Sequence, residues 1–230
     1  MKDYISTSAN KNQKLYKMMN IHGKPVQALK PFENKIDFNY IVDKVENLVP
    51  AQLMQNIDAF YVGYFKDFFK DDREFNAMFK DGAVYISPDQ DNEDDLLDDI
   101  VHEIAHSLEE KYNRYIYGDR KLEIEFIGKR RTLYFFVDKP TLDKLYYNNP
   151  EYDAKFDDYL YNGIGYDKLR LITPELFYSP YAITSLREYW ANGFENYLLG
   201  DRNMLKDISP VLYNKIENLF EETQKYESWI

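Results

Sequence analysis

Apolar residues recur at helical spacing through the middle of the chain. Leu96, Leu97, Ile100, Val101, Ile104, Ala105 and Leu108 form one stripe along a segment of about 92–111. Asn92 stands where an N-cap belongs, and Glu93, Asp94, Asp95, Asp98 and Asp99 place negative charge over the first turns, where the helix dipole favours it. Upstream, Ile41, Val45 and Leu48 predict a helix within Ile36–Met54 that ends near Pro50. The Tyr-, Phe- and Val-rich run Ile57–Phe65 predicts a strand. Phe75–Phe79 and Ala83–Ser87 predict two more, joined at Asp81-Gly82 as a hairpin and closed off by Pro88. Downstream, Leu122–Phe126 alternates like a strand, yet with Leu133 and Val137 it also suits a helix. Pro140–Tyr161 carries helical spacing broken at Asn148-Asn149-Pro150. Two closing helices are predicted at about 184–199 and 210–226, the second with Ser209 as cap and Pro210 in its first turn.

This order of elements gives an α+β fold class, a small mixed sheet with one central helix and C-terminal helices. Residues 1–34, polar and punctuated by Gly23, Pro25 and Pro31, are expected to be a loosely structured lead-in, with His22 a turn residue. Residues 35–230 are expected to form a single domain with an insertion at about 112–178, and 230 residues suffice for its core.

Composition narrows the chemistry. A net charge of −11 disfavours nucleic acid or an anionic membrane as the partner. The N-terminal residues lack the apolar core of a signal peptide, and no stretch is long enough to span a bilayer. The expected location is therefore the cytoplasm, or delivery elsewhere without a signal peptide. With no cysteine, disulfides and thiolate ligands are excluded, so a metal site must be built from His and carboxylate. The acidic run Asp89–Asp99 lacks the Gly and terminal Glu spacing of an EF-hand loop and reads as a solvated helix start.

Two of the three histidines fall on the central helix, in His102-Glu103-Ile104-Ala105-His106. Residues i and i+4 lie about 40° apart around a helix and roughly 6 Å along it, so both imidazoles reach one ion. The pattern H-E-x-x-H points to zinc, with Glu103 placed as general base on a zinc-activated water. A catalytic zinc needs a third protein ligand. Glu109 and Tyr112 stand where the extended H-E-x-x-H-x-x-G-x-x-H form would have its Gly and third His, so a carboxylate from another segment is required. Glu125 and Glu188 are the candidates. Glu188 lies on a predicted helix in Ser185-Leu-Arg-Glu188, where it also fits a capping box.

Around Glu188 the run Tyr181-Ala-Ile-Thr-Ser-Leu-Arg-Glu188-Tyr-Trp-Ala-Asn-Gly-Phe194 resembles the anthrax lethal factor-like metalloproteases, zincin-like enzymes that include the Pro-Pro endopeptidases. The resemblance implies His102, His106 and Glu188 as ligands of one Zn²⁺ per chain and Glu103 as catalytic base. It also implies that Tyr181 steadies the transition state and that Tyr189, Trp190, Ala191 and Phe194 pack behind the ligand. It covers less than a quarter of the chain. The family often carries an acidic residue four positions after its ligand Glu, where this chain has Asn192.

The function expected on these grounds is a zinc metalloendopeptidase acting on a peptide or protein substrate. By analogy, Ala83–Ser87 would be the edge strand that pairs with an extended substrate. Two rivals are a zincin-like structural or binding module with little turnover, and a metallohydrolase acting on a non-peptide amide.

Overall fold

Alternating short apolar runs and turn residues in the first half of the chain build a sheet, and longer amphipathic runs in the second half build helices. The structure, a computed structural model, describes residues 19–32, 36–70, 73–137 and 142–227. The chain divides into two compact units, Met1–Lys111 and Tyr112–Ile230, where a single domain over 35–230 was expected.

In the first unit, β1 (Asn20–Ile21), β2 (Lys24–Ala28), β3 (Ala59–Val62), β6 (Ala77–Lys80) and β7 (Ala83–Ile86) form one sheet in the order β1-β2-β3-β7-β6. β2, β3 and β7 are parallel, and β1 and β6 run antiparallel to their neighbours. A separate two-stranded ribbon joins β4 (Phe69–Lys70) to β5 (Arg73–Glu74). The α+β class and the small mixed sheet are as expected. Helix α1 (Phe38–Leu48) buries Phe38, Ile41 and Val45 and is capped by Asp37, whose carboxylate accepts from the Asn39 and Tyr40 N–H groups.

Two expectations are corrected here. Part of the anticipated loose lead-in is strand: residues 20–28 pair as a hairpin, while residues 1–18 lie outside the described set. Pro25 and the short polar-rich run around it mask a strand whose order comes from its parallel partner β3. His22 (φ 49°) and Gly23 (φ 76°) make the turn. His22 also meets the end of α1, its N–H donating to Glu46 at 2.6 Å and its ring Nε2 lying 2.7 Å from the Val49 carbonyl. The second correction concerns β7, expected at the edge. It is interior, held by β3 on one side and β6 on the other. The predicted hairpin does form, with Asp81 (φ 50°) and Gly82 (φ 77°) in the left-handed region a two-residue turn requires. That turn folds β6 outside β7, so among the described residues β6 is one edge of the sheet, with β1 at the other.

Helix α2 (Glu93–Ile116) begins in the first unit. Asn92 caps it, its side-chain oxygen accepting from the N–H groups of Asp94 (2.9 Å) and Asp95 (3.0 Å). Leu96, Ile100, Val101, Ile104 and Ala105 are fully buried, as the stripe predicted. Asn56 donates to the Ser107 carbonyl at 2.9 Å and ties the turn before β3 to the middle of this helix.

The second unit is helical: α3 (Lys121–Phe136), α4 (Ala154–Asp158), α5 (Tyr166–Ile172), α6 (Leu186–Leu199), α7 (Arg202–Ile208) and α8 (Pro210–Glu227). Leu122–Phe126, ambiguous in sequence, is helix because Leu122, Phe126, Lys129, Arg130 and Leu133 form one buried face at helical spacing. Arg130 is completely buried. It donates to the carbonyls of Tyr146 (3.0 Å) and Asn149, and its guanidinium lies 4.0 Å from the Phe156 ring centroid. Burial pushes its pKa down to about 9. Residues 146–156 are thus tied to α3 by one buried cation. α6 and α8 cross at Gly193, where an added Cβ would come within 2.2 Å of Leu212. Among the described residues, no helix is long and apolar enough to cross a membrane.

Candidate metal centre

His102 and His106 sit one turn apart on α2, with ring centroids 5.0 Å apart and planes inclined at 73°. His106 is buried and His102 half-buried. The ring Nδ1 of His106 lies 2.8 Å from a carboxylate oxygen of Glu109, itself buried one turn further along. In the tautomer with the proton on Nδ1, Glu109 accepts it and Nε2 keeps a lone pair for a metal. A carboxylate behind a ligating imidazole fixes its tautomer and ring orientation and raises its basicity. Glu109, which in sequence only marked the lack of a glycine, is a candidate partner for His106 that the helical spacing could have flagged. The available signal was its position three residues after His106, on the same helical face. Glu109→Ala is expected to weaken metal affinity about ten- to a hundred-fold while the helix persists, measured by competition with a chelating indicator. Unchanged affinity would contradict this role.

Glu188 lies in the first turn of α6. Ser185 caps that helix, its hydroxyl accepting from the Glu188 N–H at 3.2 Å. The cap uses the backbone N–H of Glu188, not its carboxylate. One nitrogen each of His102 and His106 and one carboxylate oxygen of Glu188 all lie within 4.8 Å of one another, a group that could hold a metal ion. Two imidazoles and a carboxylate suit a borderline cation of zinc type. After Glu188 in the chain, Tyr189, Trp190, Ala191 and Phe194 are buried. Trp190 packs on Phe194, and Phe194 on Phe220.

Glu125, the other candidate, is committed elsewhere. Its carboxylate accepts from the Tyr189 hydroxyl (2.9 Å) and from the Val211 (2.7 Å) and Leu212 (3.1 Å) N–H groups. Those amides belong to the first turn of α8, where unsatisfied donors and the helix dipole favour an anion. Glu125 is a cap supplied from α3.

One turn along α3, Lys129 is buried with its ammonium 4.9 Å from the Tyr189 ring centroid and 2.5 Å from the Ser209 hydroxyl. Burial pushes its pKa down to about 8, against the opposing pull of Glu125. Between pH 8 and about 10 the unfolded chain binds the more protons at this position, so stability rises with pH there, by up to ~3 kcal/mol. Above about 10 the trend reverses, because burial holds the Tyr189 hydroxyl well above its ordinary value and the unfolded tyrosine ionises first. Urea unfolding across pH 7.5–11 should show this maximum. Lys129→Met should flatten its rising side, and an unaltered rise in that variant would contradict the assignment.

Glu103 is buried on α2, and its Oε2 accepts from the Phe79 N–H of β6 at 2.5 Å. Asp99, one turn before His102, accepts from the Gln90 side chain at 3.2 Å. Burial pushes the Asp99 carboxyl up to about 7, with the charge of Glu103 adding to the rise and the Gln90 hydrogen bond opposing it. Desolvated carboxyl groups beside two imidazoles make a surrounding that favours a cation. Tyr181 opens the short 3-10 turn Tyr181–Ile183 that leads into α6; it is half-buried, and its carbonyl accepts from the Thr184 hydroxyl at 2.8 Å. Comparison with protein-family models, with curated proteins and with solved structures finds no match.

Proposed function

We propose that this chain is a zinc-dependent endopeptidase, with one Zn²⁺ held by His102, His106 and Glu188. The observation that carries the proposal is the convergence of two imidazoles and one distant carboxylate within 4.8 Å, on a helix that also bears Glu103. The likeness of Tyr181-x₆-Glu188 and its aromatic followers to lethal factor-like metalloproteases supports the same assignment.

Zinc in this cage supplies a Lewis acid that acidifies water and polarises a carbonyl. Glu103 accepts the proton of the attacking water as the C–O bond forms. It delivers that proton to the leaving nitrogen as the C–N bond breaks. The Tyr181 hydroxyl donates to the oxyanion that develops on the carbonyl oxygen, a contact that strengthens only as charge appears. An extended peptide adds to the sheet edge at β6, where main-chain hydrogen bonds bind it in a sequence-tolerant way.

Digestion of a peptide library by the zinc-loaded protein, read by mass spectrometry, tests the proposal. Cleavage at a definable set of bonds, abolished by a chelator and restored by zinc, is the expected result. No cleavage anywhere in the library by protein with a full zinc complement would sink it.

A further inference from the structure

The register of β6 on β7 sets which backbone groups face outwards. The Ser87 N–H donates to the Asn76 carbonyl at 2.6 Å. In an antiparallel ladder hydrogen-bonded pairs alternate with pairs that are not. Pairs 76/87, 78/85 and 80/83 therefore carry the bonds, and Ala77 and Phe79 turn their N–H groups away from β7. Of these two outward donors, Phe79 meets the buried carboxylate of Glu103.

We propose that the Phe79 N–H is a positioning group for the general base: the edge strand clamps Glu103 Oε2 and so sets the direction of Oε1. This rests on the peptidase reading of the same residues. A glutamate side chain has three rotatable torsions, and a free one samples many orientations before it meets a proton. A charge-assisted hydrogen bond from a rigid strand removes that freedom in advance. The same contact ends the stretch of edge open to a peptide, because the Phe79 donor is taken while the Ala77 donor on the same side still faces an incoming strand. Substrate then pairs at Ala77, and its scissile carbonyl lies level with Phe79, beside the base.

Amide hydrogen exchange, followed by NMR in the wild type and in Glu103→Ala, tests the clamp without reference to activity. The Phe79 amide should exchange at least about tenfold more slowly than that of Ala77, and should lose this protection in Glu103→Ala. Equal rates at both positions in the wild type would overturn the proposal. Kinetics test the role. Phe79→Pro removes the outward donor at an edge position where proline spares the ladder. A backbone ester at residue 79 removes the same N–H without proline's constraint, should Phe79→Pro fold poorly. Both should lower kcat about ten- to a hundred-fold, the worth of a hydrogen bond to a charged group, with KM within about threefold and zinc content unchanged. Ala77→Pro should instead raise KM. Equal losses of kcat at 77 and 79, or a loss confined to KM at 79, would overturn the positioning role. Wild-type protein that cleaves nothing overturns the peptidase and this role together, whereas cleavage with an unprotected Phe79 amide overturns the clamp alone.

Discussion

Glu103→Gln is expected to lower kcat/KM for peptide hydrolysis by about a thousand-fold or more while the protein keeps its zinc. General acid–base catalysis contributes about 10²–10⁴, and Glu103 is asked to act twice in one turnover, first as base and then as acid. Glutamine keeps the size of the side chain and an oxygen that can still accept from the Phe79 N–H, but it takes up no proton. Metal content separates this effect from damage to the site, because the ligand nitrogens and the Glu188 carboxylate are untouched. Initial rates on a cleaved peptide and elemental analysis of the same sample decide the matter. Activity within tenfold of wild type would remove Glu103 from the chemistry. Zinc loss in parallel with activity would make it a structural partner of the metal.

Glu125→Ala has the second-largest expected effect, and it falls on stability. Three donors converge on this carboxylate, two of them amides at the start of α8. Lys129, buried one helical turn away, has Glu125 as the charge that opposes its desolvation. Removing the carboxylate orphans those donors and leaves a buried cation without its counter-charge, a combination that costs about 3–5 kcal/mol. Chemical denaturation should show the midpoint falling accordingly, with zinc stoichiometry of the folded protein unchanged. Lys129→Met combined with Glu125→Ala should recover part of the loss, since the uncompensated charge is then gone. A Glu125→Ala protein as stable as wild type would mean that the cap is dispensable.

The two corrections and the site together mark where local sequence stops carrying information. His102, Glu103 and His106 were legible because one helix face is a local object: spacing alone brings the two imidazoles together. The third member of that group was left open by spacing, since both Glu125 and Glu188 sit on helices near aromatic residues; tertiary geometry commits Glu125 to a helix cap and groups Glu188 with the two imidazoles. What singled out Glu188 was the aromatic run that follows it, Tyr189-Trp190-Ala191, which the fold buries. β6 and β7 were recognised as a hairpin but ordered wrongly in the sheet. Alternation and a turn fix pairing within a hairpin, whereas the choice of its outer strand depends on β3, a strand that a local window does not contain. Leu122–Phe126 was ambiguous because Leu122, Ile124 and Phe126 satisfy a period of two, and the buried Lys129 and Arg130 that complete the helical face do not count in an apolar pattern. Arg130 is held inside by two carbonyls and the Phe156 ring, supplied by residues 146–156, and by the Phe126 ring of its own helix. The Phe79 N–H has no sequence signature at all, since every non-proline residue carries one.

The metal content of the purified protein, measured side by side for wild type, Glu188→Ala and Glu125→Ala, tests the central claim most directly. A zinc centre at His102, His106 and Glu188 predicts one zinc per wild-type chain, loss in Glu188→Ala, and retention in folded Glu125→Ala. Wild-type protein that takes up no zinc even when zinc is supplied, or a Glu188→Ala protein that holds zinc as tightly as wild type, would contradict it.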